Sequence, residues 1–471
     1  MTIFENTFTS LPSFFHQKVV PTPILNPRLV HSTSLRTLLV PELDDFALIK
    51  WLNGQHSLPG EQRISTRYAG HQFGVWAGQL GDGRAISLGE IVTSEGRFEV
   101  QTKGSGITPF SRMGDGKAVI RSSVREYLCS EAMHGLQIPT TRVLGLLTGD
   151  DPVYRESVER SAIVARVFPS NLRFGHFEMA FHSNKTQELN ALIEYTNKRF
   201  FFGLSLTVML REILVRTARL IARWQDVGFN HGVMNSDNMS ILGLTFDYGP
   251  FGFLEDTDLN YICNHSDEQG RYAFGKQPSI GLWNLERLFV TFLNHVKRDD
   301  LEKILGEYPR AFEHEYQRLG RLKLGLSLEE TDDFSLFVEI LKILSELSID
   351  YTFFWRKLSD YSGPDSFQEI WDYYGYREEL RLWLAKYEAR LAREKISRPE
   401  RQRRMKAHNP KYVLKNYIAQ EVIEDVEKGS SEKLNQWLNI LYSPFEEHPD
   451  FEIYSLPTPP ELKHIVVSCS S

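Results

Sequence analysis

Three residues at fixed spacing carry the most chemistry in this chain: His231, Asn238 and Asp247, the last followed by Tyr248 and Gly249. An amide oxygen and a carboxylate are hard ligands. A magnesium-like cation takes only one or two such ligands from protein and completes its octahedron with phosphates and water. The stretch His231-Gly-Val-Met-Asn-Ser-Asp237-Asn238, followed by Asp247-Tyr-Gly249, therefore suits a metal–nucleotide complex. Asp237, next to Asn238, reads either as a helper carboxylate or as a solvated turn residue.

Protein kinases hold their metal with the same pair, the asparagine of H-R-D-x-x-x-x-N and the aspartate of D-F-G. Counted from His231, Asn238 stands at the asparagine position and Val233 stands where the catalytic aspartate belongs. The bland alternative makes Asn238 and Asp247 ordinary turn residues. The alignment of His, Asn and Asp-aromatic-Gly argues against it. The spacing thus points to a kinase-like nucleotide enzyme without ordinary phosphotransfer chemistry.

Other candidates lie upstream. Lys103 sits on the polar side of a predicted strand and Glu126 in the first turn of a predicted helix, as in the kinase pair that fixes an ammonium against phosphates. Ser123-Val-Arg-Glu126 is equally a capping box, in which Glu126 would serve its own helix end. Three glycine clusters, at Gly78–Gly83, Gly104–Gly106 and Gly114–Gly116, could bring backbone N–H groups close to phosphate or could be plain tight turns. Arg166 and Arg173 flank Phe168-Pro-Ser-Asn-Leu172, where two lobes would meet; planar guanidinium groups suit phosphate, but surface ion pairs are the alternative.

These side chains need a scaffold. Residues 85–103 alternate apolar and polar as strands do, and Asp82-Gly83 reads as a hairpin turn. A helix runs from Ser123 to about His134, followed by strands over 142–147 and 162–168. From about residue 190 the period becomes helical; Met209, Ile213, Leu220, Trp224 and Val227 mark one face of a helix ending near Gly228. Segments 239–242 and 244–246 look like short strands joined at Gly243. Residues 283–441 read as amphipathic helices, and the basic run over 390–404 as a solvated face. The expected class is α+β: a bilobal, protein-kinase-like fold with a strand-rich N-lobe, a helical C-lobe and extra C-terminal helices. Expected boundaries are an N-terminal extension over 1–60, an N-lobe over 61–168, a C-lobe over 169–420 with its catalytic loop at 231–249, and a helical segment with a tail over 421–471.

Composition narrows the class. The chain has 471 residues, 41% hydrophobic and 24% charged, as in ordinary globular proteins. A net charge of −7 argues against a nucleic-acid binder. Three cysteines, Cys129, Cys263 and Cys469, are too few for a disulfide scaffold and form no zinc-like pair. No apolar run reaches the roughly 18 residues of a membrane span, and no secretory or transit signal opens the chain, so a cytoplasmic protein is expected.

Longer motifs carry a family resemblance. Arg67-Tyr-Ala-Gly-His-Gln-Phe-Gly74, Gly81-Asp-Gly-Arg84, Gln101-Thr-Lys-Gly-Ser-Gly106, Asn230 to Met239, Asp247-Tyr-Gly-Pro-Phe-Gly252 and Asn409-Pro-Lys-Tyr-Val-Leu-Lys-Asn416 resemble the selenoprotein O (YdiU) family over roughly residues 60–420. The resemblance implies a pseudokinase that transfers AMP from ATP to Ser, Thr or Tyr hydroxyls of proteins, itself included, using Mg2+ or Mn2+. UMP transfer from UTP with manganese, assigned to a bacterial member, is one alternative. A non-catalytic nucleotide-binding pseudokinase and a phosphotransferase are the others.

By the same resemblance, Gly81, Gly83, Arg84, Asp115 and Gly116 contact nucleotide, Lys103 is held by Glu126, and Arg166 and Arg173 hold phosphates. Asp237 is implied as proton acceptor, with Asn238 and Asp247 as metal ligands. The family binds ATP in reverse, which leaves the α-phosphate facing the metal and makes an aspartate at Val233 superfluous. Cys469 stands where some members carry selenocysteine, and the expectation is a regulatory disulfide between Cys263 and Cys469.

Overall fold

The computed structural model describes residues 2–463, 465 and 467. Its strands, in chain order, are β1 (Phe4–Glu5), β2 (His16–Lys18), β3 (Arg28–Ser32), β4 (Ile64–Thr66), β5 (Ala69–Gln72), β6 (Val75–Gln79), β7 (Ala85–Thr93), β8 (Gly96–Lys103), β9 (Ala118–Val119), β10 (Arg142–Tyr154), β11 (Val158–Phe168), β12 (Phe229–Asn230) and β13 (Gly252–Phe253). Nine of them form one sheet in the order β2-β4-β7-β8-β11-β10-β3, with β1 on β7 and β9 on β11. Every pairing in it is antiparallel. The first 32 residues thus lend three strands to this sheet.

Helix α1 (Ile120–Gly135) packs on the sheet; α2 (Phe174–His182), α3 (Leu206–Asp226), α4 (Gln277–Val290), α5 (Asn416–Glu427) and α6 (Glu432–Tyr442) belong to the helical half. Val124, Leu128 and Ala132, at spacing four, are buried against Val143, Leu146 and Val164 of the sheet and against Ile418, Val422 and Leu438 of the terminal helices. Helix α1 is therefore clamped from both sides, and truncating a buried leucine such as Leu128 to alanine costs about 2–5 kcal/mol. On α3, Met209, Ile213, Leu220, Trp224 and Val227 are all buried, as their spacing predicts. Cys129 is buried within α1. The architecture is α+β, sheet-rich in its first part and helical in the rest, consistent with the expected bilobal kinase-like fold. Among the described residues, no helix is long and apolar enough to cross a membrane.

Four local expectations need correction. Helix α1 begins at Ile120, three residues before Ser123, with Val119 as its cap. The capping box therefore does not form: Ser123 Oγ has no partner, and Glu126 turns to Lys103 and Arg166 instead. Asp82-Gly83 does turn the chain, but the flanking β6 and β7 lie in different sheets and make no hairpin. Residues 239–246 form no strand pair; Ser240 bridges to Arg173 and Thr245 to Thr140, so this segment is stitched to its surroundings rather than to itself. In the basic run over 390–404, Arg393, Lys395, Arg398, Arg403 and Arg404 are exposed as expected, but Arg390 and Arg401 are buried, Arg390 in ion pairs with Asp333 and Glu394.

Candidate active site

A cleft of about 770 Å³ lies between the sheet and the catalytic loop. Its lining includes Gly81, Gly83, Arg84, Lys103, Asp115, Gly116, Arg166, Arg173, Asp237, Asn238 and Asp247. Among the described residues, the sequence candidates outside that lining are His231, Gly78, Gly104, Gly106, Glu126 and Cys263. Glu126 stands directly behind it. Cys263 is buried, its thiol donating to the Pro250 carbonyl at 2.9 Å. Cys469 lies outside the described residues, so the expected disulfide does too; Val467, two positions before it, pairs with Asn264 and accepts the His265 N–H at 2.9 Å.

Lys103 closes β8, and Arg166 lies near the end of β11, its neighbour in the sheet. Both side chains point to the same face. Lys103 Nζ donates to Glu126 Oε2 at 2.5 Å, and Arg166 Nε binds the other oxygen of the same carboxylate. Burial, partly offset by Glu126, holds the Lys103 ammonium down at about 8. Arg166 continues to Asp247, Nη2 to Oδ1 at 2.6 Å, and Arg173 Nη1 binds Asp247 Oδ2. Burial pushes the Asp247 carboxyl up, but Arg173, Arg166 and Lys103 outweigh it and keep the group ionised, well below the usual range. With Arg84, this end of the cleft holds four cationic side chains against the carboxylates of Glu126 and Asp247. That surplus suits a polyphosphate.

The loop over 231–249 is fixed from beneath. His231 is buried under it, and its Nε2 meets the Phe246 carbonyl at 3.1 Å, tying the start of the loop to Asp247. Asn238 Nδ2 donates to the Val233 carbonyl at 3.1 Å, so its side-chain oxygen remains for a ligand. Asp237 is buried, and Arg173 donates to its backbone carbonyl at 3.0 Å. Burial, opposed by Arg173, raises the Asp237 carboxyl to about 7. Asp247 itself adopts a left-handed conformation at φ 60°, sparsely populated for a side-chain-bearing residue and characteristic of functional positions.

The donor set fits a hard divalent cation shared with phosphates. Asn238 offers one neutral oxygen and Asp247 one carboxylate, and among the described residues no cluster of three or more His, Cys, Asp or Glu forms a full protein cage. Such a partial set is what a phosphate-bound magnesium or manganese requires.

The rim is formed by the segment 110–117. A Cβ on Gly116 would lie 2.1 Å from the Gly106 carbonyl carbon, so two of the glycine clusters touch here and leave no room for side chains. Asp115 pairs with Arg155 at 2.9 Å at the opening. Sequence reasoning missed Gln72, Phe73, Asp82, Phe110 and Asn235, all in the lining. Asp82 is buried and accepts from Thr66 N–H at 3.0 Å and Thr66 Oγ1 at 2.6 Å, which anchors the Gly81–Gly83 turn. The available signal was the long polar–aromatic motif at 67–74.

The chain is similar to known proteins along nearly its whole length. The protein adenylyltransferase SelO family matches residues 2–442. The chain is 44% identical over 480 residues to the protein nucleotidyltransferase YdiU of Vibrio cholerae serotype O1, covering 98% of both chains. It is likewise 44% identical to that of Myxococcus xanthus and 43% to that of Bordetella avium, each match covering 99% of this chain and 98% of the relative. With a match across nearly its whole length, the chain belongs to the SelO/YdiU family of protein nucleotidyltransferases.

Proposed function

We propose that the chain transfers AMP from ATP to Ser, Thr or Tyr hydroxyls of protein substrates, with the triphosphate lying reversed relative to a kinase. The observation that carries this reading is where the loop keeps its basic group. Val233 offers no carboxylate for γ-phosphate transfer, whereas Asp237 offers a buried one raised to about 7, near the pH at which a general base works best. The cationic end of the cleft, Lys103, Arg166 and Arg173, would take the outer phosphates.

In this reading the acceptor hydroxyl oxygen attacks the α-phosphorus and forms the new O–P bond. The bond from that phosphorus to the α–β bridging oxygen breaks, and pyrophosphate leaves with the electron pair. Asp237 takes the hydroxyl proton. Arg173 donates to the loop carbonyl of Asp237 and pairs with Asp247, so it couples the base to the phosphate-binding end. A divalent cation held by Asn238 and Asp247 would supply charge neutralisation on the phosphate oxygens. We assign residues 61–168 and 169–420 to the two lobes that form the cleft, with 1–60 and 421–471 as additions.

Incubation with α-labelled and with γ-labelled ATP tests the proposal, using casein as a hydroxyl-bearing probe and the chain itself as a second acceptor. Label should appear from the α position only and vanish in Asp247→Ala. Label from the γ position would support a phosphotransferase, and label from neither a binding scaffold. A UTP and manganese arm belongs in the same experiment, because the relatives are named nucleotidyltransferases while the family description specifies adenylyl transfer.

A further inference from the structure

The β5–β6 hairpin sits between strands of the large sheet in sequence, yet its contacts go to the catalytic loop. His71 N–H donates to Ser236 Oγ at 2.7 Å, and Phe73 N–H to Asn235 Oδ1 at 3.2 Å and to the Tyr272 hydroxyl at 2.8 Å. Tyr272 donates in turn to Asn235 Oδ1 at 2.7 Å. Between these anchors, Gln72 Nε2 donates to Asp237 Oδ2 at 3.4 Å.

The approach is closest at Gly70. A Cβ there would lie 2.7 Å from Asp237 Oδ1 and 2.8 Å from Asp237 Cβ. Gly70 does not have a left-handed φ, so closeness to Asp237, not backbone conformation, excludes a side chain. Gly175 of α2 closes the other side: its Cβ would lie 2.2 Å from the Ala69 carbonyl oxygen and 3.3 Å from Asp237 Cα. Two glycines thus let the hairpin press directly on the residue that carries the proposed base.

Asp237 is also short of donors. Its Oδ1 is buried without a hydrogen-bond partner, and among the described residues Gln72 is the only side chain that donates to the carboxylate. Buried carboxylates ordinarily collect several donors. This one has a single side-chain donor, the Gln72 amide, beside its own backbone N–H, and Oδ1 is left over. Gln72 and Phe73 both line the cleft, so the hairpin is a wall of the site beside the base.

We propose that Gln72 is a positioning residue for the acceptor half of the reaction. Its amide aims Asp237 Oδ2 at the incoming protein hydroxyl, while Gly70 allows the hairpin to fix the carboxylate in place. The inference rests on Asp237 as proton acceptor and extends that reading to the motif at 67–74, which the nucleotide-binding residues leave unexplained.

The test compares Gln72→Met, Gly70→Ala and Asp237→Ala, with casein as probe acceptor and affinity for α,β-methylene-ATP and thermal midpoint measured alongside. Gln72→Met keeps the length and removes the donor. It should lose about tenfold in kcat with nucleotide affinity within about twofold of the parent and an unchanged midpoint. Gly70→Ala should lose about a hundredfold in kcat with the same retained affinity. A Gln72→Met enzyme of parental kcat beside an inactive Asp237→Ala would overturn this inference and leave the proposed function standing. Parallel loss of nucleotide affinity and kcat in Gln72→Met would overturn it as well, by making Gln72 a nucleotide contact. Full transfer by Asp237→Ala would overturn both.

Discussion

Arg166 binds two carboxylates at once, Glu126 of helix α1 through Nε and Asp247 after the catalytic loop through Nη2 at 2.6 Å. Glu126 also holds Lys103, and Asp247 also holds Arg173. One buried chain of charges therefore runs from the sheet, through the helix, to Asp247, the proposed metal ligand. A buried ion pair gains little over an apolar pair, but breaking one by removing a partner leaves an uncompensated charge in low dielectric. In the proposed function this network presents cations to the phosphates of a nucleotide.

Replacing Glu126 tests this directly. Glu126→Gln leaves Lys103 and Arg166 without their shared counter-charge, so unfolding free energy should fall by about 3 kcal/mol and affinity for nucleotide should drop. Denaturant unfolding and a nucleotide titration read the two effects. Unchanged values in both would mean that the carboxylate neither balances nor orients these cations.

Val233 offers a gain-of-function test. If the absent aspartate alone separated this chain from a kinase, Val233→Asp would transfer label from γ-labelled ATP. The proposed reversal predicts no γ transfer, because it places the outer phosphates among Lys103, Arg166 and Arg173. Appearance of phosphoserine or phosphothreonine in casein would count against the reversal.

A pH effect arises away from the cleft. Glu99 faces Glu90 across β7 and β8. Glu90 takes Arg199 at 2.6 Å, while Glu99, buried, accepts the Asn171 N–H at 3.1 Å and the Ser170 hydroxyl and has no cation bound to it among the described residues. Burial and the Glu90 charge raise the Glu99 carboxyl to about 8, against an ordinary 4.5. Between those values the folded chain holds a proton that the unfolded chain has released. Stability therefore falls as pH rises through this window, by up to about 1.4 kcal/mol per pH unit. Glu99→Gln should flatten the decline in thermal midpoint between pH 5 and pH 8; an unaltered slope would show that Glu99 is already ionised there.

The tail gives a redox test. Val467 pairs beside Cys263, and Cys469 follows two positions later. We expect mild oxidation to join Cys263 to Cys469, detectable as a cross-linked peptide in a non-reducing mass map and absent in Cys263→Ser. Both thiols remaining reduced would remove redox control from the picture.

Much of the site was legible in the sequence because it depends on local spacing. His231, Asn238 and Asp247 belong to one short loop, and the strand position of Lys103 needs only alternation. Glu126 shows the limit: its sequence fits a capping box equally well, and only the start of the helix at Ile120 releases it for Lys103. The hairpin over Asp237 was not legible, since His71, Gln72 and Phe73 meet residues about 160 positions away, a contact that no local pattern encodes. The early strands escaped for a similar reason. Phe4–Glu5 and His16–Lys18 are two and three residues long, too short for alternation to register, and they gain their conformation from β7 and β4.

A crystal structure with α,β-methylene-ATP and a divalent cation bound addresses the reversed triphosphate most directly. We expect the α-phosphorus nearest Asp237, the cation between Asn238 and Asp247, and the terminal phosphate among Lys103, Arg166 and Arg173. A terminal phosphate beside Asp237, or no cation at Asn238 and Asp247, would contradict it.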